Sequence, residues 1–309
     1  MINLGIIGCS EGNGHPYSYS AIFNGYNPKM LQKNCPYNLI KNYLPKFHKN
    51  RNSIKHANIS HIWTQEKLES LNISQIARIP NISKNVDELI NNVDGIILAR
   101  DDPYNYFKIL KKIILSRKPL FVDKQFVHNH KNFLFVKDSL NKNQIFNFGS
   151  AIKYSKKILK IKRNSKLINN TNIIFGKSKS TFLKYGNHLL DGIFEIFKND
   201  VICISNHFID NVENIQIICK NNLKINLKFS NKYNLPIYFN LLNNNEIMSK
   251  VKFEDYFFIY KKMLERFMSD IKNYRNTRNY DRNYKITKII LAGEISKKNK
   301  GKKVYFSSI

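Results

Sequence analysis

The sequence predicts an α/β fold: a doubly wound parallel sheet over residues 1–150, then an α+β domain over residues 151–309 with a largely antiparallel sheet. Three observations carry this reading. The first half alternates short, continuously apolar strands with helical patterns, as in a parallel sheet covered on both faces. The second half changes to apolar–polar alternation, the mark of a half-buried antiparallel sheet. At 309 residues and 42% hydrophobic content, the chain is long enough to build two cores.

The strands of the first half are "INLGII" (2–7), "ISHIWT" (59–64), "DGIILA" (94–99), "PLFVD" (119–123) and "QIFNFG" (144–149). Helical patterns lie between them, including "VDELINN" and "YNYFKILKKIILSRK". In the second of these Phe107, Leu110, Ile113 and Ile114 recur at helical spacing. The stretch from Asn24 to Asn58 is long for one connection and contains Pro28, Pro36 and Pro45, so part of it reads as an insertion. In the second half, Leu223, Ile225, Leu227 and Phe229 alternate with Lys224, Asn226 and Lys228. Asn221-Asn222 before them suits a hairpin turn. Further strands are expected at 172–176 and 201–208, and helices at 183–198, 255–274 and 284–298.

The charge balance is lopsided, with 51 Lys plus Arg against 22 Asp plus Glu, a net +29. The lysines are scattered, and their densest clusters lack aromatic stacking platforms. We therefore expect solvated faces and an attraction for anionic small molecules, not a nucleic-acid partner. No apolar run reaches the length of a membrane span and no secretory leader pattern opens the chain, so a cytoplasmic protein is expected. Cys9, Cys35, Cys203 and Cys219 are far apart, and the pair His128 and His130 lacks further ligands, so no metal site is indicated.

The chemistry concentrates in "GIIGCSEGNGHPYSYSAI" (5–22), where an apolar strand runs into a glycine turn. A Rossmann-type dinucleotide turn carries Gly-x-Gly-x-x-Gly; here Ser10 stands at the middle glycine, and Gly12 and Gly14 follow Gly8. Pro16 suits the first turn of a helix. Anion binding at such a turn rests on backbone N–H groups and the helix dipole. Gly8, Ser10, Gly12, Asn13 and Gly14 are therefore candidate diphosphate ligands, with the Ser10 hydroxyl a further donor.

Two more stretches complete a pattern. "PLFVDKQF" ends a strand in Asp123-Lys124, and "YGNHLLDGIFEIF" sets His188 inside a helix. With the glycine turn and the closing "TKIILAGEISKKNKGKKVYF", these segments make the chain resemble the Gfo/Idh/MocA family of nicotinamide-dependent sugar oxidoreductases. The resemblance runs from the first strand to the last residues. In that family a strand ending in Glu-Lys-Pro carries the active-site lysine, and a helix with Asp-x-x-x-His carries the acid/base histidine. This chain departs from the pattern. Asp123-Lys124-Gln125 replaces Glu-Lys-Pro, Lys184 stands four residues before His188, and Arg100-Asp101-Asp102-Pro103 replaces a Thr-Pro turn.

The resemblance implies hydride transfer between a nicotinamide cofactor and a hydroxyl-bearing carbon of a sugar or sugar derivative. It implies Lys124, His188 and Asp191 as catalytic residues, and Lys124, Lys184 and His188 toward substrate. Arg100, Asp101, Lys124 and Glu66 join the glycine turn toward cofactor. The ribose-binding acid is either displaced to Glu66 or absent, so NAD is expected and NADP stays open. Lys184, His188 and Asp191 are spaced by four and then three residues, which puts them on one helix face. The resemblance implies a cyclitol, a free sugar or a nucleotide-linked sugar, and a precursor of a bacterial surface glycan would suit Lys184 and the other basic residues. A homo-oligomer contact is expected on the exposed face of the antiparallel sheet. The rival reading is a non-catalytic sugar- or nucleotide-binding protein that retains the fold.

Overall fold

The computed structural model describes residues 1–48, 54–124, 127–140, 144–233, 235–274 and 280–308. Gln125 lies outside the described residues. The chain divides into two compact units, Met1–Phe148 with Tyr256–Arg278, and Gly149–Asp255 with Asn279–Ile309.

The first unit opens with β1 (Ile2–Ile7), whose Leu4, Ile6 and Ile7 are fully buried. Helix α1 (His15–Asn24) follows, then α2 (Pro28–Asn34) and α3 (Asn38–Phe47), which form the proline-marked insertion. Next come β2 (Ala57–Trp63), α4 (Lys67–Ala77), β3 (Asn81–Ile82), α5 (Val86–Asn91) and β4 (Gly95–Leu98). The run ends with α6 (Pro103–Leu115), β5 (Leu120–Asp123), α7 (His130–Ser139) and β6 (Phe146–Gly149). The parallel sheet has the order β3-β2-β1-β4-β5-β6. Strand order reverses between β1 and β4, and the carboxyl ends of strands at such a switch point are where ligands bind in these sheets. Two-residue β3 is exposed and has no alternation to reveal it.

The helix expected at 255–274 forms over Tyr256–Lys272 but packs with the first unit, although the sequence boundary at 150 puts it in the second domain. The reason is a set of aromatic contacts that sequence spacing does not report. Phe267 meets Phe121 of β5 at 5.8 Å between ring centroids, and Tyr260 meets Tyr19 of α1 at 5.4 Å. Asp270, buried, accepts from Asn147 of β6 at 2.9 Å.

The second unit begins with a 3-10 turn (Ala151–Tyr154), α8 (Lys156–Lys162) and α9 (Ser165–Asn169). It continues through β7 (Ile173–Lys179), α10 (Phe182–Ile196), β8 (Val201–Ile209), β9 (Val212–Cys219) and β10 (Lys224–Ser230). After β11 (Tyr238–Asn243) and β12 (Glu246–Lys252), the chain gives α11, the helix of the first unit just described, and α12 (Tyr280–Lys298) with β13 (Val304–Tyr305). The seven strands run in the order β12-β11-β7-β10-β9-β8-β13. Neighbouring strands pair antiparallel except β7 with β10, which are parallel. Asn221 and Asn222 turn the β9–β10 hairpin with φ of 59° and 60°, as the paired asparagines suggest. Leu223, Ile225, Leu227 and Phe229 join α10's Phe182, Leu189 and Ile193 and α12's Ile286, Ile289 and Ile290 in one core.

Candidate active site

The turn after β1 closes on itself. Ser10 and Asn13 form a β-bridge, with the Asn13 N–H donating to the Ser10 carbonyl at 3.0 Å. The buried Asn13 amide donates to Asp123 Oδ2 at 3.1 Å and to the Ala99 carbonyl at 3.4 Å, while its Oδ1 accepts from the His15 N–H at 2.9 Å. Pro16 opens α1 and lies against Gly8. Gly12, φ 74°, forms an exposed tip. Among the described residues the backbone N–H groups of Cys9, Glu11 and Gly12 have no hydrogen-bond partner, so this turn at the switch point presents donors that an anion can fill. Those donors fit the diphosphate of a dinucleotide.

Gly14 is also needed for packing. A Cβ there would lie 2.6 Å from Ile40 and 2.8 Å from the Tyr37 ring, so the glycine lets the insertion close over α1. Gly14→Ala is expected to cost about 1–3 kcal/mol by overpacking. At Gly12 nothing lies within 4 Å of an added Cβ. There Gly12→Ala carries only the left-handed backbone penalty, about 1–2 kcal/mol. Denaturant unfolding of both variants checks the pair, and a larger loss at Gly12 would refute this account.

Glu66 stands just before α4 with its side chain exposed. Glu69, one turn on, is the acid that reaches the glycine turn: Cys9 Sγ donates to its Oε1 at 3.5 Å. Burial, and then Glu69, push the Cys9 thiol up. Gln65 Nε2 also donates to the Cys9 carbonyl at 2.7 Å. Neither Gln65 nor Glu69 stands out in the sequence, because each is defined by the fold of the turn opposite it.

At the carboxyl ends of β4 and β5 the site residues are locked together. Arg100 forms a two-pronged pair with Asp102, Nε to Oδ1 at 2.8 Å and Nη2 to Oδ2 at 2.5 Å. Lys124 Nζ donates to Asp101 Oδ2 at 2.7 Å, and both residues are buried. The Ser10 hydroxyl donates to Asp101 Oδ1 at 2.5 Å. It is therefore committed to a carboxylate in this structure. Asp123, beside Lys124, accepts from His15 Nδ1, from Asn13 and from the Tyr19 hydroxyl at 3.2 Å. Burial alone would raise the Asp123 carboxyl, but His15 and then Lys124 outweigh it and hold it below the usual carboxylate range. His15 Nε2 meets the Tyr260 hydroxyl at 3.1 Å. His15 is a residue that sequence reasoning passed over, though it sits inside the glycine turn's own run.

In the second unit α10 carries His188 and Asp191 into its buried face, while Lys184 in its first turn is exposed. Both buried residues reach Ser150, just after β6. His188 Nδ1 hydrogen-bonds the Ser150 hydroxyl at 2.7 Å, and the Ser150 N–H donates to Asp191 Oδ2 at 2.5 Å. Gly149, φ 114°, makes this approach possible, since a side chain there would sit on the Asp191 carboxylate. Lys153 Nζ lies 3.5 Å from Asp191 Oδ2, and Arg282 Nη2 lies 3.3 Å from Oδ1. Burial lowers the Lys153 ammonium and Asp191 only partly opposes it; for Arg282, Asp191 and Glu195 outweigh burial and raise it. Ser150, Lys153 and Arg282 went unmarked in the sequence because they come from two segments, 150–153 and α12, that no spacing relates to α10.

A parallel six-stranded sheet in this order, a glycine turn at its switch point and a following mixed seven-stranded sheet define a Rossmann-type two-unit α/β fold. Solved structures sharing it along nearly the whole chain include dehydrogenases. One is the scyllo-inositol dehydrogenase of Lactobacillus casei with bound cofactor NAD(H) and scyllo-inositol (TM-score 0.72, 9% identity, 99% of each chain covered). Another is the myo-inositol 2-dehydrogenase of Lactobacillus plantarum (TM-score 0.76, 12% identity, 98% of this chain and 99% of that one). A third is the UDP-N-acetylglucosamine 3-dehydrogenase of Acidithiobacillus ferrooxidans (TM-score 0.70, 10% identity, 97% and 98%). No protein-family model and no curated protein matches the chain. Among the described residues no helix is long and apolar enough to cross a membrane.

Proposed function

We propose that this chain is an NAD-dependent oxidoreductase acting on a hydroxyl of a sugar or sugar derivative. The observation that carries the reading is Lys124, a buried lysine paired with Asp101 at the carboxyl end of β5, in a fold shared with a solved dehydrogenase that holds NAD(H) and an inositol. The amides of Cys9, Glu11 and Gly12 would hold the diphosphate, and Glu66 the ribose hydroxyls. A bound nicotinamide supplies the hydride acceptor or donor. Lys124 stabilises negative charge on the substrate oxygen, and His188 exchanges the hydroxyl proton. Asp191 steadies His188 through Ser150. In this reading residues 1–150 hold cofactor, residues 151–309 supply the substrate wall, and the exposed apolar side chains Ile202, Phe208 and Ile209 of β8 mark an oligomer contact. The protein works in the cytoplasm.

The substrate we favour is a nucleotide-linked sugar, a precursor of a bacterial surface glycan. Two observations favour it: the exposed Lys184 with the chain's net +29, and the fold shared with a UDP-N-acetylglucosamine 3-dehydrogenase. Turnover with NAD and NADP against inositols, free sugars and UDP-sugars, followed by nicotinamide absorbance, tests both levels. Turnover on an inositol alone would replace the substrate. An absence of NADH and NADPH binding by calorimetry would leave the non-catalytic reading standing. On cofactor choice, the Glu66 carboxylate would repel a 2′-phosphate. Glu66→Arg is expected to shift the NAD/NADP affinity ratio toward NADP by about tenfold or more, about 1.4 kcal/mol. An unchanged ratio would show that Glu66 does not face the ribose.

A further inference from the structure

The middle glycine of the dinucleotide turn is Ser10, and its hydroxyl is already in use. Ser10 Oγ donates to Asp101 Oδ1 at 2.5 Å and accepts from the Asp101 N–H at 3.1 Å, a two-point grip on one residue. The other oxygen of the same carboxylate, Oδ2, accepts from Lys124 Nζ at 2.7 Å. Asp101 and Lys124 are 8% and 5% exposed, so the pair is shielded from water and little screened by salt. Lys124 also has a left-handed backbone, φ 60°, which an L residue adopts only where its surroundings hold it.

We propose that Ser10 and Asp101 are positioning residues for Lys124: the serine anchors the carboxylate, and the carboxylate fixes the ammonium. The proposal rests on the dehydrogenase reading for its catalytic meaning, but the tether itself is a property of the first unit. It accounts for the serine where a plain dinucleotide turn has glycine. A glycine there leaves the Asp101 carboxylate with one restraint fewer, and a less restrained carboxylate can turn the lysine away from the charge it must meet. It also ties the turn that takes the diphosphate to the lysine that meets the substrate, through two hydrogen bonds and one ion pair.

The test uses four variants of the whole chain: Asp101→Asn, Ser10→Ala, Ser10→Gly and Ser10→Thr. Each is first shown to melt cooperatively. Two readouts follow. The first is the rate at which an amine-acylating reagent labels Lys124, measured by peptide mass spectrometry. The second is the split between kcat and the KM for NAD. In Asp101→Asn the buried Lys124 ammonium loses one counter-charge while the Asp123 carboxylate stays beside it, so it gives up its proton more readily, and the neutral amine is what reacts. Labelling should therefore quicken in Asp101→Asn, and to a smaller degree in Ser10→Ala and Ser10→Gly. Ser10→Thr, which keeps the hydroxyl, should label like the wild type. In turnover, kcat should fall by about a hundredfold in Asp101→Asn, the scale of a misplaced catalytic group, with the KM for NAD little changed. It should fall by about tenfold in Ser10→Ala, the scale of one charged hydrogen bond. Equal labelling of Lys124 in wild type and Asp101→Asn would overturn the tether. A loss of NAD affinity in Ser10→Ala with unchanged labelling and kcat would also overturn it, returning Ser10 to the diphosphate. Graded labelling in a protein that turns over no sugar would support the tether and refute the dehydrogenase reading alone.

Discussion

Lys124→Ala is expected to lower NAD-linked turnover by a factor on the order of a hundred or more while NADH affinity stays within a few-fold. The dinucleotide is assigned to backbone amides of the turn after β1, which the substitution leaves in place. The lost group is the ammonium that would stabilise charge on the substrate oxygen. The variant also leaves the Asp101 carboxylate buried without its cation, so stability should fall by about 3–5 kcal/mol. Turnover is therefore measured well below the variant's own melting temperature. Lys124→Arg keeps a charge for Asp101 and should recover stability more than turnover, because a planar guanidinium cannot stand where a compact ammonium stood. Normal turnover in folded Lys124→Ala would remove the lysine from the chemistry. His188→Ala should lose turnover to a similar degree, and normal activity there would make α10 a structural helix.

Asp123→Asn is expected to destabilise the first unit by about 1–3 kcal/mol at neutral pH, the scale of a buried carboxylate's hydrogen bonds left unmatched. Asp123 is buried and accepts from His15, Asn13 and Tyr19. Because its folded carboxyl lies below the ordinary value, the unfolded chain takes up the proton first on acidification. The stability it contributes is complete above about pH 4, the unfolded value, and is lost as pH falls through the folded value. The wild type and Asp123→Asn should thus differ most near neutrality and converge in acid. Denaturant unfolding at a series of pH values checks this. A difference that stays constant down to pH 3 would mean that the carboxyl is not held ionised by its partners.

The legible part of the fold is the part written in local pattern. The strands at β1, β4 and β5 are continuous apolar runs, and the β9–β10 hairpin combines alternation with an asparagine turn. Such features identify an element wherever it lands. β3, β11 and β12 were missed; β3 is two residues long, and β11 and β12 carry mixed side chains. Their strand character comes from the neighbour that pairs with them. The candidate site divides in the same way. Gly8, Lys124, His188 and Asp191 were reached through short motifs, whereas His15, Glu69, Ser150, Lys153 and Arg282 carry no motif.

By itself the sequence determined the order of the principal strands and helices, the change from parallel to largely antiparallel sheet, and the stretches where chemistry gathers. Each depends on residues a few positions apart, whose spacing sets periodicity and turn geometry directly. Only the tertiary structure decided that α11 belongs with the first unit, since Tyr260 and Phe267 find ring partners more than a hundred residues away. It alone decided that Gly14 serves packing beneath Tyr37, and that the Ser10 hydroxyl is held by Asp101. Hydrogen bonds and ring contacts act over a few ångströms of space, and sequence separation places no limit on which groups come that close.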